Sequence, residues 1–263
     1  MTRVLILGHR GMLGDAVFRH LDSYADIECV TTSARWPDEA FKEAVLGSSA
    51  DYIVNAIGKI PQKGGTASDY ETLNVALPLF LDSVGSRVIH PSTDCEFLGT
   101  IPPGERYEKD ASRDAADAYG RSKAKASAWI EEHGSHTKII RTSIIGHESG
   151  TALSLLDWFL ASEGTVRGYS NHYWNGITTL QWAKQALMLI RDWDAYPRLT
   201  QIASPECMSK HDVLRIVAKV YGKEISLEPF ETPETVNKCL VSDAVLPPLK
   251  VQLQDLASLY GKA

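Results

Sequence analysis

A surplus of positive charge is missing from this sequence. Its 263 residues include 27 lysines and arginines against 33 aspartates and glutamates, which gives a formal net charge of −6. Proteins that follow a nucleic-acid backbone need clustered Lys and Arg side chains to neutralise its phosphates. We therefore expect no nucleic-acid partner, and we expect any bound phosphate to lie in a local pocket.

Clustered cysteines are missing as well. The chain has four cysteines, at Cys29, Cys95, Cys207 and Cys239, and no C-x-x-C pair. Widely spaced cysteines of this kind favour neither a zinc site nor a disulfide framework. We predict that all four are reduced thiols of a cytoplasmic protein and that no metal is bound.

The sequence also lacks a signal peptide, a membrane-spanning run, internal repeats and low-complexity segments. An apolar run begins within a few residues of Met1, without the basic start and small-residue cleavage site of a leader. No apolar run approaches the length of a transmembrane helix, so we expect no membrane contact. The length predicts one core, or a core with a smaller lobe.

What is present is an alternation of short apolar runs with helical patterns. The alternation predicts βαβ units and a doubly wound parallel α/β sheet in the first half of the chain. Beyond about residue 146 the pattern is less regular and predicts a smaller α/β lobe. The predicted strands are 4–7, 27–31, 52–55, 88–90, 138–142 and 201–203; the predicted helices are 12–22, 37–46, 69–83, 118–133, 152–161, 180–192 and 209–221. Three loops, 59–65, 99–106 and 164–176, are candidates to border a site.

A glycine-rich loop follows the first predicted strand and leads into a helix. It reads GHRGMLG and comprises Gly8, His9, Arg10, Gly11, Met12, Leu13 and Gly14. Glycines let the backbone approach a pyrophosphate, and the helix N-terminus presents unpaired N–H groups. We interpret the loop as a dinucleotide-binding site; the alternative is a turn that only packs helix on strand.

The end of the second strand predicts which dinucleotide is bound. An acidic residue there would bond the ribose hydroxyls of NAD, but residues 31–35 contain no carboxylate. Arg35, with Arg10 from the glycine loop, could instead bond a 2′-phosphate through charge-assisted hydrogen bonds. This favours NADPH over NADH, unless both arginines are simply solvated.

A tyrosine and a lysine stand four residues apart at the start of a predicted helix. The spacing places Tyr119 and Lys123 on one helix face, where a lysine cation can lower the pKa of a tyrosine hydroxyl. Taken alone, this spacing is common on solvated helices. Thr93, or with less support Ser92, follows the fourth strand, where ligands of open α/β sheets bind. There a hydroxyl can orient a substrate carbonyl; the alternative is that it caps a loop.

These motifs together resemble an extended short-chain dehydrogenase/reductase, most similar to the dTDP-4-dehydrorhamnose reductase family of nucleotide-sugar reductases. The residues that carry the resemblance are the glycine loop, Asn55 and Ala56, Asn74, Ser92 to Asp94, Tyr119 to Lys123 and Arg141 to Ser143. The glycine loop is also similar to that of GDP-fucose synthase, an NADPH enzyme.

The resemblance implies a Rossmann-type NADP(H)-binding domain over residues 1–146. It implies a mainly substrate-binding lobe over 147–263, from which segments can return to the core. It further implies a catalytic triad of Thr93, Tyr119 and Lys123, with Asn55 and Ala56 along the cofactor groove. A homodimer is a family expectation.

Two residues depart from the pattern of the family. Cys95 and Ile144 occupy places that are typically aromatic in rhamnose reductases, so we expect a different sugar pocket. The substrate contacts we predict are Asp94, Cys95, Ile144, Trp174 and Asn175, although a Tyr-Trp pair is equally typical of a lobe core.

The predicted function is NADPH-dependent reduction of the C4 keto group of a nucleotide-diphospho-4-keto-6-deoxy sugar or a close relative. One alternative is a nucleotide-sugar epimerase that retains its cofactor, and another is a non-catalytic NADP-binding regulatory subunit. Dehydration is disfavoured, because the related dehydratases carry a glutamate where this chain has Cys95, and Glu96 points to the opposite side of an extended segment.

Overall fold

A computed structural model describes residues 1–150 and 152–262. Its centre is a six-stranded sheet in the order β2-β1-β3-β4-β5-β10, and all of its neighbouring strands are parallel. The strands are β1 (Thr2–Leu7), β2 (Ile27–Thr31), β3 (Tyr52–Asn55), β4 (Arg87–Ser92), β5 (Thr137–Arg141), β6 (Ile144–Ile145), β7 (Thr165–Tyr169), β8 (His172–Trp174), β9 (Ile177–Thr178), β10 (Leu199–Gln201), β11 (Met208–Ser209), β12 (Ser226–Phe230) and β13 (Val236–Asn237).

The helices cover both faces of this sheet, so the predicted doubly wound α/β fold is confirmed. The α-helices are α1 (Met12–Leu21), α2 (Glu39–Leu46), α3 (Ala67–Tyr70), α4 (Leu77–Asp82), α5 (Ala118–His133), α6 (Leu155–Ala161), α7 (Thr179–Arg191), α8 (Lys210–Val220) and α9 (Leu249–Leu259). A π-helical stretch, Glu71–Ala76, joins α3 to α4, and short 3₁₀ turns lie at Pro61–Lys63, Asp94–Glu96 and Trp193–Ala195.

The central strands are apolar because both of their faces are covered. Val4 and Ile6 of β1 lie in one core cluster with residues of α1 and α7, whereas Leu5 and Leu7 pack on the other face with residues of α2 and α4. This alternation is expected of a parallel sheet buried on both sides. It explains why the strands read as continuous apolar runs in the sequence.

The chain reverses its direction of winding between β1 and β3. β2 pairs with one edge of β1, and β3 pairs with its other edge. The carboxyl ends of β1 and β3 therefore diverge into loops on opposite faces, which opens the crevice where ligands of such sheets bind. The glycine loop follows β1 directly at this point.

The second half of the chain contributes to both the core and a lobe. β10 joins the main sheet beside β5, and α7 packs against α1. The remaining elements form a separate apolar cluster that includes Leu156, Phe159 and Leu253. The division at residue 146 stays a prediction.

The expectation of four reduced cysteines is wrong for two of them. Cys207 and Cys239 form a disulfide across a sequence separation of 32 residues, and Cys29 and Cys95 are free. The pair forms because the adjoining strands β11 and β13 flank the same strand, β8. Linear spacing does not reveal this pairing.

Within residues 1–150 and 152–262, no helix is both long and apolar enough to cross a membrane. The same residues include no group of three or more His, Cys, Asp or Glu side chains arranged to hold a metal ion.

Candidate active site

The glycine loop is held by close backbone contacts at two of its three glycines. Gly8 has φ +78°, and a Cβ atom there would lie 3.0 Å from the carbonyl of Ala56. A Cβ on Gly14 would lie 2.2 Å from the Gly8 oxygen, whereas one on Gly11 would lie at an ordinary 3.4 Å. Gly8 and Gly14 are therefore required by packing, whereas packing alone does not require a glycine at Gly11.

The start of α1 has the features of an anion site. Its N-cap is Gly11, and no side chain caps the first turn. The first N–H groups of a helix have no acceptor within the helix and carry a partial positive charge. Met12, Leu13 and Gly14 are the first residues of this turn, and Leu13 and Gly14 are buried against the core. Burial lowers the pKa of the preceding His9, which favours a neutral ring.

Arg10 reaches from the glycine loop to the end of β2. Its guanidinium donates a hydrogen bond of 2.9 Å to the hydroxyl of Ser33, two residues before the exposed Arg35. Arg10 therefore reaches the segment that carries Arg35. No carboxylate of residues 31–35 opposes them, because the segment has none.

Tyr119 is brought to the end of β4 by an unusually close helix contact. Asp117 caps α5 by accepting a hydrogen bond of 2.8 Å from the Gly120 N–H. A Cβ on Gly120 would lie 2.2 Å from the Cys95 carbonyl oxygen. Only glycine lets α5 approach the turn at Asp94–Glu96 this closely, and the approach places Tyr119 against Thr93.

The protein environment raises the pKa of the Tyr119 hydroxyl above its ordinary value. Burial is the largest cause, and the nearby Cys95 adds to it; a side-chain hydrogen bond with Thr93 acts in the opposite direction. The protein groups by themselves therefore do not produce the lowered Tyr119 pKa that was expected from Lys123. A raised pKa keeps Tyr119 protonated but also makes its hydroxyl a weaker acid, so a bound cofactor would have to favour the transfer of its proton.

Lys123 is buried below the tyrosine, one turn along α5. Its ammonium donates a hydrogen bond of 2.6 Å to the Pro91 carbonyl and lies 3.1 Å from Nε2 of His90. Burial lowers the pKa of Lys123 to about 8, and the charge of Glu96 opposes that effect. The lysine is thus a cation at neutral pH, with a nearby pH at which it loses its charge.

His90 is a site residue that the sequence reasoning missed. It is fully buried in β4, and burial together with Lys123 holds its pKa well below the usual range, so the ring is neutral. Its Nδ1 lies 3.1 Å from the amide nitrogen of Asn55. A polar residue inside an otherwise apolar central strand was the available signal.

Two predicted cofactor contacts lie at the end of β3. Ala56 supports the glycine loop, since its N–H donates to the Leu7 carbonyl at 2.9 Å. The side chain of Asn55 is fully buried and accepts from the Ile57 N–H. Asn55 therefore shapes the crevice only by ordering the neighbouring backbone. Its side-chain amide is buried and does not face the crevice.

Thr93 and Ser92 have different surroundings. The Thr93 hydroxyl accepts from the Cys95 N–H and donates to Asp94, each at 3.1 Å. The Ser92 hydroxyl donates to the carboxylate of Glu96, which is itself fully buried. Ser92 is committed to the interior, so Thr93 is the hydroxyl available beside Tyr119.

Glu96 belongs to a buried ion network and not to the crevice. Its carboxylate lies 2.7 Å from Arg113 and 2.8 Å from Arg141, and it accepts a hydrogen bond of 2.5 Å from Ser127. A carboxylate paired in this way does not remove a substrate proton. The structure therefore supports the expectation that Glu96 does not replace the dehydratase glutamate.

Of the remaining predicted substrate contacts, Asp94, Cys95 and Ile144 lie at the carboxyl ends of β4 and β5. Asp94 is buried beside Thr93. Burial, and after it Asp94, raises the pKa of the Cys95 thiol to about 12, so that it stays protonated. Ile144 is half-buried against the main core.

Trp174 and Asn175 are structural instead. Trp174 packs in the core of the second lobe. The Asn175 amide donates to and accepts from the backbone of Leu240, at 2.8 and 2.9 Å. Both side chains help to hold the lobe together, and a substrate contact by either of them stays a prediction.

Lys238 was missed by the sequence reasoning. Its side chain crosses Gly99, where a Cβ would lie 3.1 Å from its Cγ atom, and its charge acts on the Cys95 thiol. It reaches the site from the segment after β13, and no sequence pattern marks it.

Asn74 fixes the loop that contains Lys59. Its side chain accepts a hydrogen bond of 2.8 Å from the Lys59 N–H and donates one of 3.0 Å to Ser122.

The doubly wound sheet, the glycine loop at its point of reversal and the Tyr119–Lys123 helix beside Thr93 define the class: a Rossmann-type α/β protein of the short-chain dehydrogenase/reductase kind. The model of the RmlD substrate binding domain matches residues 74–238, well over half of the chain. The chain belongs to that family.

Solved structures share the fold over nearly the whole chain. A dTDP-4-dehydrorhamnose reductase of Clostridium acetobutylicum superposes with a TM-score of 0.81 at 18% identity, covering 99% of this chain and 100% of the other. The enzyme of that name from Bacillus anthracis, solved in complex with NADP, gives 0.83 at 16% identity, with 97% and 99% covered.

The same fold occurs with another activity. A UDP-glucose 4-epimerase of Thermotoga maritima, solved with UDP-glucose, gives a TM-score of 0.77 at 14% identity, with 99% of each chain covered. At these identities the likeness shows the fold alone. No curated protein matches the chain in sequence.

Proposed function

We propose that this protein is an NADPH-dependent oxidoreductase that reduces the C4 keto group of a nucleotide-diphospho-4-keto-6-deoxy sugar or a close relative. The observation that carries the proposal is the meeting of Thr93, Tyr119 and Lys123 beside the glycine loop. Family membership supports it, and so does the Bacillus anthracis reductase solved with NADP.

The residues of the crevice fit a phosphorylated dinucleotide. Gly11 leaves room for a pyrophosphate, because nothing but an ordinary contact would meet a Cβ there. The uncapped start of α1 supplies N–H groups. Arg10, oriented by Ser33, would hold the 2′-phosphate together with Arg35. NADPH, when bound, supplies the hydride that adds to the carbonyl carbon.

The protein's own residues manage the proton and the orientation of the carbonyl. Thr93 turns its hydroxyl from Asp94 to the carbonyl oxygen and so orients it, and Tyr119 gives its hydroxyl proton to that oxygen as the C–H bond forms. Lys123, held by Pro91 and His90, places its cation near the tyrosine and the cofactor ribose. One keto group, one hydride and one proton thus yield one alcohol.

The proposed substrate carries a diphosphate, and Lys238 offers a charge for it. This side chain lies over Gly99 at the border of the crevice, close enough for its charge to act on Cys95. A cation at that border attracts a diphosphate. With Cys95 and Ile144 in place of aromatic residues, the sugar pocket differs from the one the family resemblance implies.

The remaining expectations belong to the same proposal. They are a cytoplasmic location, a homodimer and the division into a cofactor domain and a substrate lobe at residue 146. Sedimentation of the purified protein checks the dimer, since a monomer mass would contradict it.

The test is to follow NADPH absorbance with a panel of dTDP-, GDP-, CDP- and UDP-linked 4-keto sugars. The proposal expects net oxidation of NADPH, in equal amount to the alcohol formed, with at least one of them. An epimerase would change the sugar with no net oxidation of NADPH. A regulatory subunit would bind NADPH and turn over none of the sugars, and either result would contradict the proposal.

A further inference from the structure

A second cavity lies along α7, apart from the candidate active site. Its volume is about 790 Å³, and its walls are α7, the end of α1, the approach to β10 and residues 243–247. Thr93, Tyr119, Lys123 and the glycine loop do not line it. Cavities that bind small molecules have volumes of roughly 300–1,000 Å³.

Two glutamines from one stripe of α7 line this cavity. Gln181 and Gln185 are one helical turn apart, and each is only 5% exposed. Within the described parts of the chain, neither carboxamide has a hydrogen-bond partner. The carboxamide atoms are not among the fully buried, unpaired polar atoms of the described residues, so they are open to the cavity and can bond a ligand there.

Two further unpaired polar atoms come from other elements. Oγ1 of Thr200, in β10, and Nε2 of His20, in α1, are buried without a partner among the described residues. Both residues line the cavity. Neither atom is open to the cavity, so a ligand there would bond the carboxamides of Gln181 and Gln185 and not these two atoms.

The charges around the cavity are already balanced. Lys184 lies 2.6 Å from Asp255, and Lys109 lies 3.0 Å from Asp243. Burial, and after it Lys184, lowers the pKa of His20, so that its ring is neutral. No surplus charge is left for an ionic ligand, and an uncharged molecule fits best.

Apolar residues also line the cavity. They include Met188, Pro197, Leu246 and Pro247, and Met188 is 47% exposed. Each carboxamide presents one donor and one acceptor side by side. Its complement is an N–H group next to a C=O group on a ring thin enough to lie between apolar surfaces.

We propose that this cavity binds an uncharged ring compound with an amide edge, the chemistry of a uracil ring. Gln181 and Gln185 hydrogen bond the edge, and the apolar side chains cover the ring faces. The site does not depend on the proposed oxidoreductase activity, because it shares no residue with it.

The test is calorimetric titration of the full-length protein with uridine, 3-methyluridine and uridine 5′-monophosphate. Uridine is expected to bind. Methylation of N3 removes the donor of the amide edge and should weaken binding about tenfold or more. The monophosphate should bind no tighter than uridine, because the lysines are already paired.

Two variants and a matched control locate the binding. Gln181→Leu and Gln185→Leu keep the side-chain volume and should each weaken uridine about tenfold, whereas the exposed Gln254→Leu on α9 should not. Circular dichroism checks that all three fold, and NADPH binding should be unchanged. Absence of uridine binding, or equal binding by wild type and both cavity variants, overturns the proposal; tighter binding of the monophosphate overturns its uncharged character.

Discussion

At the scale of single residues, we propose that the choice of cofactor depends on Arg10 of the glycine loop and Arg35 after β2. Arg10 bonds Ser33, and Arg35 follows two residues later and is exposed. Glycine-rich loops, strand ends and the Tyr119 spacing could be predicted from sequence because each is a local pattern. Lys238 could not, because its partner lies in a distant segment of the chain. His90 carried a signal, as a polar residue in an apolar strand, but its partner Lys123 is also distant in sequence.

Removal of either arginine should reduce NADPH affinity selectively. Arg10→Ala and Arg35→Ala should each raise the KM for NADPH about tenfold or more, because each change removes a charge-assisted hydrogen bond to the 2′-phosphate. The KM for NADH should stay unchanged, since NADH lacks the 2′-phosphate. Steady-state kinetics with both cofactors measures this, with Arg3→Ala at the opposite end of β1 as the control. An equal loss for both cofactors would contradict the assignment.

Lys123 predicts an alkaline limit to the activity. Its pKa is lowered to about 8, so the lysine is charged below that pH and neutral above it. We expect kcat to fall as the pH rises through about 8. A full pH–rate profile measures this, and Lys125→Met on the exposed side of the same helix should leave it unchanged.

The control for that profile is Lys123→Met. This variant should have low activity throughout, with no alkaline limb near pH 8. If the limb persists in Lys123→Met, another group titrates there, and the role given to the lysine cation is wrong.

At the scale of elements, the position of α5 depends on one close approach. A Cβ atom on Gly120 would lie only 2.2 Å from the carbonyl oxygen of Cys95. Because the obstacle is backbone, the contact cannot be relieved by a side-chain rotation. The helix and its two functional side chains are therefore positioned by a residue that takes no part in chemistry.

Gly120→Ala should harm the protein although alanine favours helix. In an ordinary helix interior the change would stabilise by about 0.5–1 kcal/mol. Here we expect α5 to shift, the melting temperature to fall and kcat to drop at least tenfold. Thermal unfolding and steady-state rates measure this, with Arg121→Ala on the exposed side as the control. A stabilised and active Gly120→Ala protein would show that the approach is not required.

Most of the elements that sequence reasoning missed exist through pairing. The five strands β1 to β5 are short runs rich in apolar residues, and all were predicted to within two residues at each end. Residues 164–176, expected as a loop, form β7 and β8, and strands of two residues such as β11 and β13 have no periodicity to detect. α9 was also missed, although its apolar residues follow helical spacing.

At the scale of the whole molecule, the second lobe is tied together by the Cys207–Cys239 disulfide. It joins the two strands that flank β8. Closing a loop of this length is worth about 3–4 kcal/mol in the chain-entropy model. The lobe that carries Lys238 therefore depends on the bond for part of its stability.

Reduction should destabilise the protein measurably. We expect a reductant, or the double change Cys207→Ser and Cys239→Ser, to lower the free energy of unfolding by about 2–4 kcal/mol. Urea titration measures it, and thiol counting checks the bond. The reductant should have no further effect on the double variant. Four free thiols in the unreduced native protein would contradict the pairing.

The central claim is that the Tyr119 hydroxyl gives the proton that completes reduction of a keto sugar. The most direct measurement compares NADPH oxidation by wild type, Tyr119→Phe and Tyr70→Phe with the best keto-sugar substrate. Tyr70 is the matched control, because its ring lies 6.2 Å from that of Tyr119. We predict that Tyr119→Phe loses about 10²- to 10⁴-fold in kcat with NADPH binding retained, and that Tyr70→Phe stays close to wild type. Equal turnover by Tyr119→Phe and wild type would contradict the account.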